Sequence, residues 1–305
     1  MNMSLGSSFV NWLLKAVKFN GMYLEIEKSK GNAEQFSEIV KKNRMGRDCK
    51  NPPNKLFSRY EIREMHDAGH ATYLMKTKEG NNRRLIMFFH GGAYMFGPFL
   101  MHWKTLSKLA DYRMHDIAVL DYPKSPEYTC ERTIDYCVRT YKRIISENNY
   151  TETVFLGDSA GGGLALSLFM KLRDLDMKLP DKLILLSPWL DVSMSNNEMR
   201  EYIDKDLILT IDGLIECGKY YAGDTDTNDW LVSPKFGDLK SLPETHVFAG
   251  GSELFLPDCR DFVNNAQDNK LNAKLHFYED MQHDWPLISF LPEAKRALKE
   301  ISELL

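Results

Sequence analysis

A chain of 305 residues, 43% hydrophobic and 27% charged, has the composition of a globular protein with enough apolar material to bury its own core. Its formal net charge of −4, with lysines and arginines scattered rather than massed, argues against nucleic acid or an anionic membrane as partner. The five cysteines (Cys49, Cys130, Cys137, Cys217 and Cys259) are odd in number and widely spaced, without a CxxC pair. They argue against a disulfide framework or a zinc knuckle and suit a reducing cytoplasm.

The first apolar stretch is "SSFVNWLLKAVKF" (Ser7–Phe19). It lacks a basic region before it and a small-residue cleavage site after it, and it is too short to span a bilayer. Neither a signal peptide nor an integral membrane segment is therefore expected. Phe9, Leu13, Ala16 and Val17 share one helical face, flanked by Trp12 and Phe19. The pattern predicts a helix packed on its own protein, with a peripheral membrane contact as the alternative. In "HDAGHA", His66 and His70 are spaced like a metal pair. The stretch lacks the Glu of a metalloprotease helix and holds a glycine, so a surface strand or turn is expected and no metal site is assigned.

From about residue 70 onward, apolar runs alternate with amphipathic segments. "LIMFF" (Leu85–Phe89) reads as a buried strand, followed by a helix around His102–Arg113, the strand "IAVLDY" (Ile117–Tyr122) and a long helix. In that helix Ile134, Cys137, Val138, Tyr141, Ile144 and Ile145 repeat on one face. "TVFLG" (Thr153–Gly157) leads into a helix starting near Ala160. "KLILLS" (Lys182–Ser187), "THVFAG" (Thr245–Gly250) and "KLHFY" (Lys274–Tyr278) are further strands, with helices around Cys259–Asp268 and Pro292–Leu304. Unbroken apolar strands separated by helices predict an α/β protein whose parallel sheet is covered on both faces. Residues 1 to about 50 and about 193–229 interrupt this alternation with helical sequence and are expected to pack above the sheet as a lid, with surface decoration as the alternative.

In such a sheet the chemistry gathers beyond the carboxyl ends of the strands. His90 with its glycines, Ser159, Asp191, Glu253 and His283 each follow a strand run, on one rim. The glycine-rich turn "LGDSAGGGLALSL" could cradle a phosphate or present a serine. It lacks the Lys-Ser/Thr of a nucleotide loop and the GxGxxG spacing of a dinucleotide site. It does contain G-x-S-x-G (Gly157–Gly161), which sets Ser159 at a sharp strand-to-helix corner. A serine needs a base to take its proton, an acid to orient that base, and N–H donors for the developing oxyanion. "FFHGGAYMFG" supplies bare backbone N–H groups at Gly91 and Gly92, with Ala93 a third candidate, and the N–H of Ala160 completes the set. Asp191, Glu253, Asp258 and Asp280 all stand near the rim as acids.

"HGGAY", "LDYPKSPEY", "GDSAGGGLA", "SPWLD" and "MQHDW", in that order, resemble the hormone-sensitive-lipase branch of the α/β-hydrolase family, over roughly Leu85 to Leu305. The resemblance implies a mostly parallel central sheet with helices on both faces plus a helical cap. Residues 1–50 would be an N-terminal cap segment, and 51–305 a catalytic domain with a cap insertion at about 193–229. It implies a serine carboxylesterase for short- to medium-chain esters, working through an acyl-enzyme without metal or other cofactor. Ser159 is the implied nucleophile and His283, after the last strand, the base, while His90 braces the oxyanion loop. The family carries its acid after the penultimate strand, usually as Asp; "GGSELFLPD" places Glu253 there, with Asp258 and Asp191 as the alternatives. The implied partner is a small-molecule ester, with homo-oligomerisation left open. An acylpeptide or prolyl-type peptidase, or a ligand-binding member of the fold without catalysis, are the rival readings.

Overall fold

The computed structural model describes residues 4–16, 20–78 and 83–305. They form an eight-stranded sheet: β1 (Tyr60–Asp67), β2 (His70–Thr77), β3 (Arg84–Phe89), β4 (Asp116–Leu120), β5 (Glu152–Asp158), β6 (Lys182–Leu186), β7 (Glu244–Gly250) and β8 (Ala273–Tyr278). The spatial order is β1-β2-β4-β3-β5-β6-β7-β8, antiparallel across β1–β2 and β2–β4 and parallel elsewhere. The six strands from β3 on match the apolar runs. β1 and β2 extend the surface strand or turn expected at His66–His70 into a full hairpin closed at Ala68–Gly69, both at positive φ, with His66 and His70 on opposite strands.

Side chains alternate across the sheet as the two-residue period requires. Leu85, Met87 and Phe89 enter one core with α5 (Cys130–Glu147), α6 (Ala160–Asp174) and α8 (Leu256–Asp268). Ile86 and Phe88 enter the other, with α4 (Leu100–Tyr112) and α9 (Pro292–Leu304). The stripe on α5 behaves as its spacing predicts, with Ile134, Cys137, Tyr141 and Ile144 buried. Each such apolar side chain contributes about 1.5–3 kcal/mol through burial.

The remaining helices are α1 (Leu5–Ala16), α2 (Gly21–Lys28), α3 (Ala33–Arg47) and α7 (Ile211–Ala222). Asn32 caps α3 through the N–H of Gln35, and Thr210 caps α7 through that of Gly213. α2 packs on α7, and Phe36 of α3 stacks on Tyr220 of α7 at 3.8 Å, so α2 and α3 meet the 193–229 stretch. α1 differs from expectation in its orientation. Ser7 and Leu14 face inward, whereas Phe9, Trp12 and Leu13 are exposed. The cause is a polar clasp: the carboxylate of Glu293, in the first turn of α9, accepts from the backbone N–H of Ser4 and the hydroxyls of Ser4 and Ser7. The Ala16 side chain, Val17 and Phe19 lie outside the described residues. Among the described residues no helix is long and apolar enough to cross a membrane.

Candidate active site

Ser159 sits between the last residue of β5 and the first of α6, at φ 52° and ψ −122°. A non-glycine residue holds that conformation only where its surroundings over-determine it. Two backbone bonds do so, Ser159 N–H to the carbonyl of Leu186 (2.8 Å) and Trp189 N–H to the carbonyl of Ser159 (2.8 Å). Close approach requires glycine at two neighbours. A Cβ on Gly161 would lie 2.0 Å from the carbonyl oxygen of Phe89, and one on Gly157 would lie 2.4 Å from that of Gly161. The corner thus lifts the Ser159 hydroxyl clear of the sheet at its carboxyl edge.

The loop after β8 brings His283 to it, with Nε2 3.0 Å from Ser159 Oγ. The other ring nitrogen, Nδ1, is 3.0 Å from Oε2 of Glu253, a fully buried carboxylate in the turn after β7. Oε1 of Glu253 accepts the N–H of Gly250 at 2.7 Å, which fixes the carboxylate as an acceptor. The three side chains therefore form one hydrogen-bonded line from chain positions 124 and 30 residues apart. The other acids are engaged elsewhere. Asp258 pairs with Lys235 and accepts from Asn196, and Asp191 accepts from the backbone and hydroxyls of Ser193 and Ser195. Asp280 is exposed.

The loop after β3 is braced from two sides. His90 stacks on Tyr122 at 4.2 Å, and the Tyr122 hydroxyl donates to the His90 carbonyl. His102 accepts the Phe99 N–H at Nδ1, so its Nε2 carries the proton and donates to Oδ2 of Asp158 at 3.2 Å. Oδ2 of Asp158 also accepts the N–H of Gly91 at 3.0 Å. This corrects one expectation: the Gly91 N–H is occupied and is not a free donor toward a reacting oxygen. No side chain among the described residues takes the N–H of Gly92, Ala93 or Ala160. Gly92 turns the loop at φ 115°. The signal for this exchange was the Asp of "GDSAG", which reads as a spacer until the fold sets it beside the glycine loop.

Above Ser159 lies a cavity of about 610 Å³, with Leu14, Met22, Phe96, Leu209, Leu287 and Ile288 among its walls. Such an apolar chamber with few polar groups fits a small apolar ligand. Two acids near His283 escaped the sequence reading. Asp206 is buried and accepts three backbone N–H groups, from Ile208, Leu209 and Leu254, tying the 193–229 stretch to the Glu253 turn. Asp284 places Oδ2 3.1 Å from Nε2 of His283. Burial disfavours the imidazolium of His283, but the carboxylates of Asp284 and Glu253 outweigh it and hold the ring well above the ordinary histidine range. Burial raises Asp284 as well, assisted by the charge of Asp158.

A family model described as alpha/beta hydrolase fold matches residues 86–287. The chain is 31% identical to an esterase of Acinetobacter venetianus over 223 residues, which cover 72% of this chain and 74% of that protein. It is 28% identical to an acetyl-hydrolase of Streptomyces hygroscopicus over 233 residues, covering 76% and 78% of the two chains. The crystal structure of an esterase from the bacterial hormone-sensitive lipase family aligns with a TM-score of 0.77 at 23% identity, covering 94% of this chain and 96% of that one. The chain belongs to the α/β-hydrolase fold family, and the relatives it matches are named as esterases and an acetyl-hydrolase.

Proposed function

We propose that the protein is a serine carboxylesterase acting on short- to medium-chain esters of small molecules. The observation that carries this reading is the line Ser159–His283–Glu253, with 3.0 Å at both contacts, opening into an apolar cavity. Ser159 attacks the acyl carbon while Nε2 of His283 takes its proton, and Glu253 steadies the resulting imidazolium through Nδ1. The N–H groups of Gly92 and Ala160, with Ala93 as the third, receive the oxyanion; Gly91 serves by holding the loop to Asp158. His283 then gives its proton to the leaving alcohol, and water repeats the sequence on the acyl-enzyme. Residues 1–50 and 193–229 act as the cap that closes the apolar chamber, and the similarity to proteins named esterase and acetyl-hydrolase supports ester chemistry.

Turnover of p-nitrophenyl esters from acetate to laurate tests this reading. Hydrolysis concentrated at the shorter chains and lost in Ser159→Ala is the expected result. Equal turnover by the variant would remove the nucleophile, and a preference for laurate would remove the chain-length assignment.

A further inference from the structure

The ring of His283 faces three acceptors instead of the two that a serine–histidine–acid line needs. Glu253 takes Nδ1, and Nε2 lies 3.0 Å from Ser159 Oγ and 3.1 Å from Oδ2 of Asp284. Asp284 is held in this place by its backbone. It adopts the left-handed conformation (φ 54°), which turns its side chain back toward the preceding ring, and its N–H donates to the hydroxyl of Ser187 at 3.1 Å. The residue before the histidine is pinned as well: Gln282 accepts the N–H of Leu207 and donates to the carbonyl of Lys205. The contact between carboxylate and ring is therefore built into the loop.

The hydrogen count follows from those contacts. Glu253 is an acceptor at both oxygens, so Nδ1 carries a hydrogen. In a bare line, Nε2 would then offer a lone pair to the hydroxyl of Ser159. A carboxylate oxygen 3.1 Å from Nε2, at ion-pair distance but without the alignment of a hydrogen bond, favours the protonated ring over the neutral one. The additional hydrogen then sits on Nε2, whose hydrogen-bond direction is toward Ser159. That arrangement holds one proton more than the bare line and denies Ser159 its base.

We propose, resting on the esterase reading above, that Asp284 is a positioning residue of the reaction. Its carboxylate holds this additional proton at Nε2 of His283, and attack by Ser159 waits until the proton has left for bulk water. Once it has left, the same carboxylate strengthens His283 as a base, because the imidazolium formed when Ser159 gives up its proton lies between two carboxylates. The Asp284–His283 pair thus sets the acid limb of activity. The other ionisable groups facing the pair are Glu253 after β7, Asp158 at the end of β5, Asp206 in the 193–229 stretch and Tyr23 of α2. His102 of α4 and Arg47 of α3 line the same cavity. Each stays in place when Asp284 alone is changed.

Asp284→Asn keeps the shape, and asparagine tolerates the left-handed conformation; Asp284→Gly is the second variant, which removes the side chain without backbone strain. Two readouts decide. The first is the titration of the His283 ring nitrogens by NMR in ¹⁵N-histidine-labelled protein, assigned by their loss in His283→Gln. The second is the pH profile of kcat/KM for p-nitrophenyl butyrate. In both variants the ring is expected to lose its proton at a pH lower by about one to three units. The acid limb should move down by the same amount, while the plateau at alkaline pH falls several-fold because the base is weaker. A merely structural role lowers the rate at all pH values alike. An unmoved ring titration in folded Asp284→Asn and Asp284→Gly overturns the inference, as does an unmoved acid limb. Absence of any Ser159-dependent hydrolysis in the wild type overturns the esterase reading instead, and the ring titration still decides the proton count.

Discussion

Glu253 grips His283 with one carboxylate oxygen and its own turn with the other: Oε2 lies 3.0 Å from Nδ1, and Oε1 takes the N–H of Gly250 at 2.7 Å. The extra methylene of glutamate is accommodated because the turn after β7 holds the side chain fully buried. Nδ1 is thereby kept as the protonated nitrogen, leaving Nε2 directed at Ser159.

Replacing the carboxylate by an amide tests this. In Glu253→Gln the amide NH₂ can face Nδ1 and favour the wrong tautomer, so kcat should fall by about 10³–10⁴-fold with the fold intact. Circular dichroism and the rate of p-nitrophenyl acetate hydrolysis check it. A variant within ten-fold of wild type would transfer the orienting role to another acid.

Asp258 is the rival acid, and its surroundings assign it a different task. Its side chain is buried against Lys235 and Asn196. Burial pushes its carboxyl up, and the Lys235 contact draws it back down. Asp258→Ala leaves the lysine without its partner and should cost about 3 kcal/mol in denaturant unfolding. Turnover per folded molecule should stay within about three-fold of wild type, since the position touches neither Ser159 nor His283. A selective loss of kcat at unchanged stability would reverse that assignment.

The seating of α1 depends on one carboxylate. Burial alone would raise Glu293, but hydrogen bonds from Ser7 and Ser4 outweigh it and hold it below the ordinary glutamate value. A depressed carboxylate stabilises at pH values above the unfolded pKa, and that contribution is lost as pH falls through the folded pKa. The clasp is thus complete at neutral pH and weakens below about pH 4. Glu293→Ala should remove hydrogen-exchange protection from residues 4–16 at neutral pH while β5 and α6 keep theirs. Unchanged protection of α1 in this variant would show that apolar packing alone seats the helix.

The parts of the molecule legible in the sequence are those where one force dominates. β3 and β5–β7 are buried on both faces, so their apolar runs are nearly unbroken, and the glycines around Ser159 mark backbone approaches that no side chain can share. β1 escaped because it is largely exposed, and its hairpin depends on Ala68 accepting positive φ, which composition does not announce. The face that α1 buries is hidden from the sequence for a related reason. Phe9 and Leu13 form the more apolar stripe, yet the helix is oriented by a long-range clasp to Glu293 that no local pattern reveals. The commitment of the Gly91 N–H to Asp158 and the turn of Asp284 onto its neighbour's ring likewise arise only when separate segments meet.

The central claim is that His283 and Glu253 make one serine hydroxyl reactive. Labelling with a fluorophosphonate probe followed by peptide mapping measures this without a known substrate. A single adduct on Ser159, abolished in His283→Gln and slowed in Glu253→Gln, is the predicted result. Folded protein that takes no label at Ser159, or that labels equally well without His283, contradicts it.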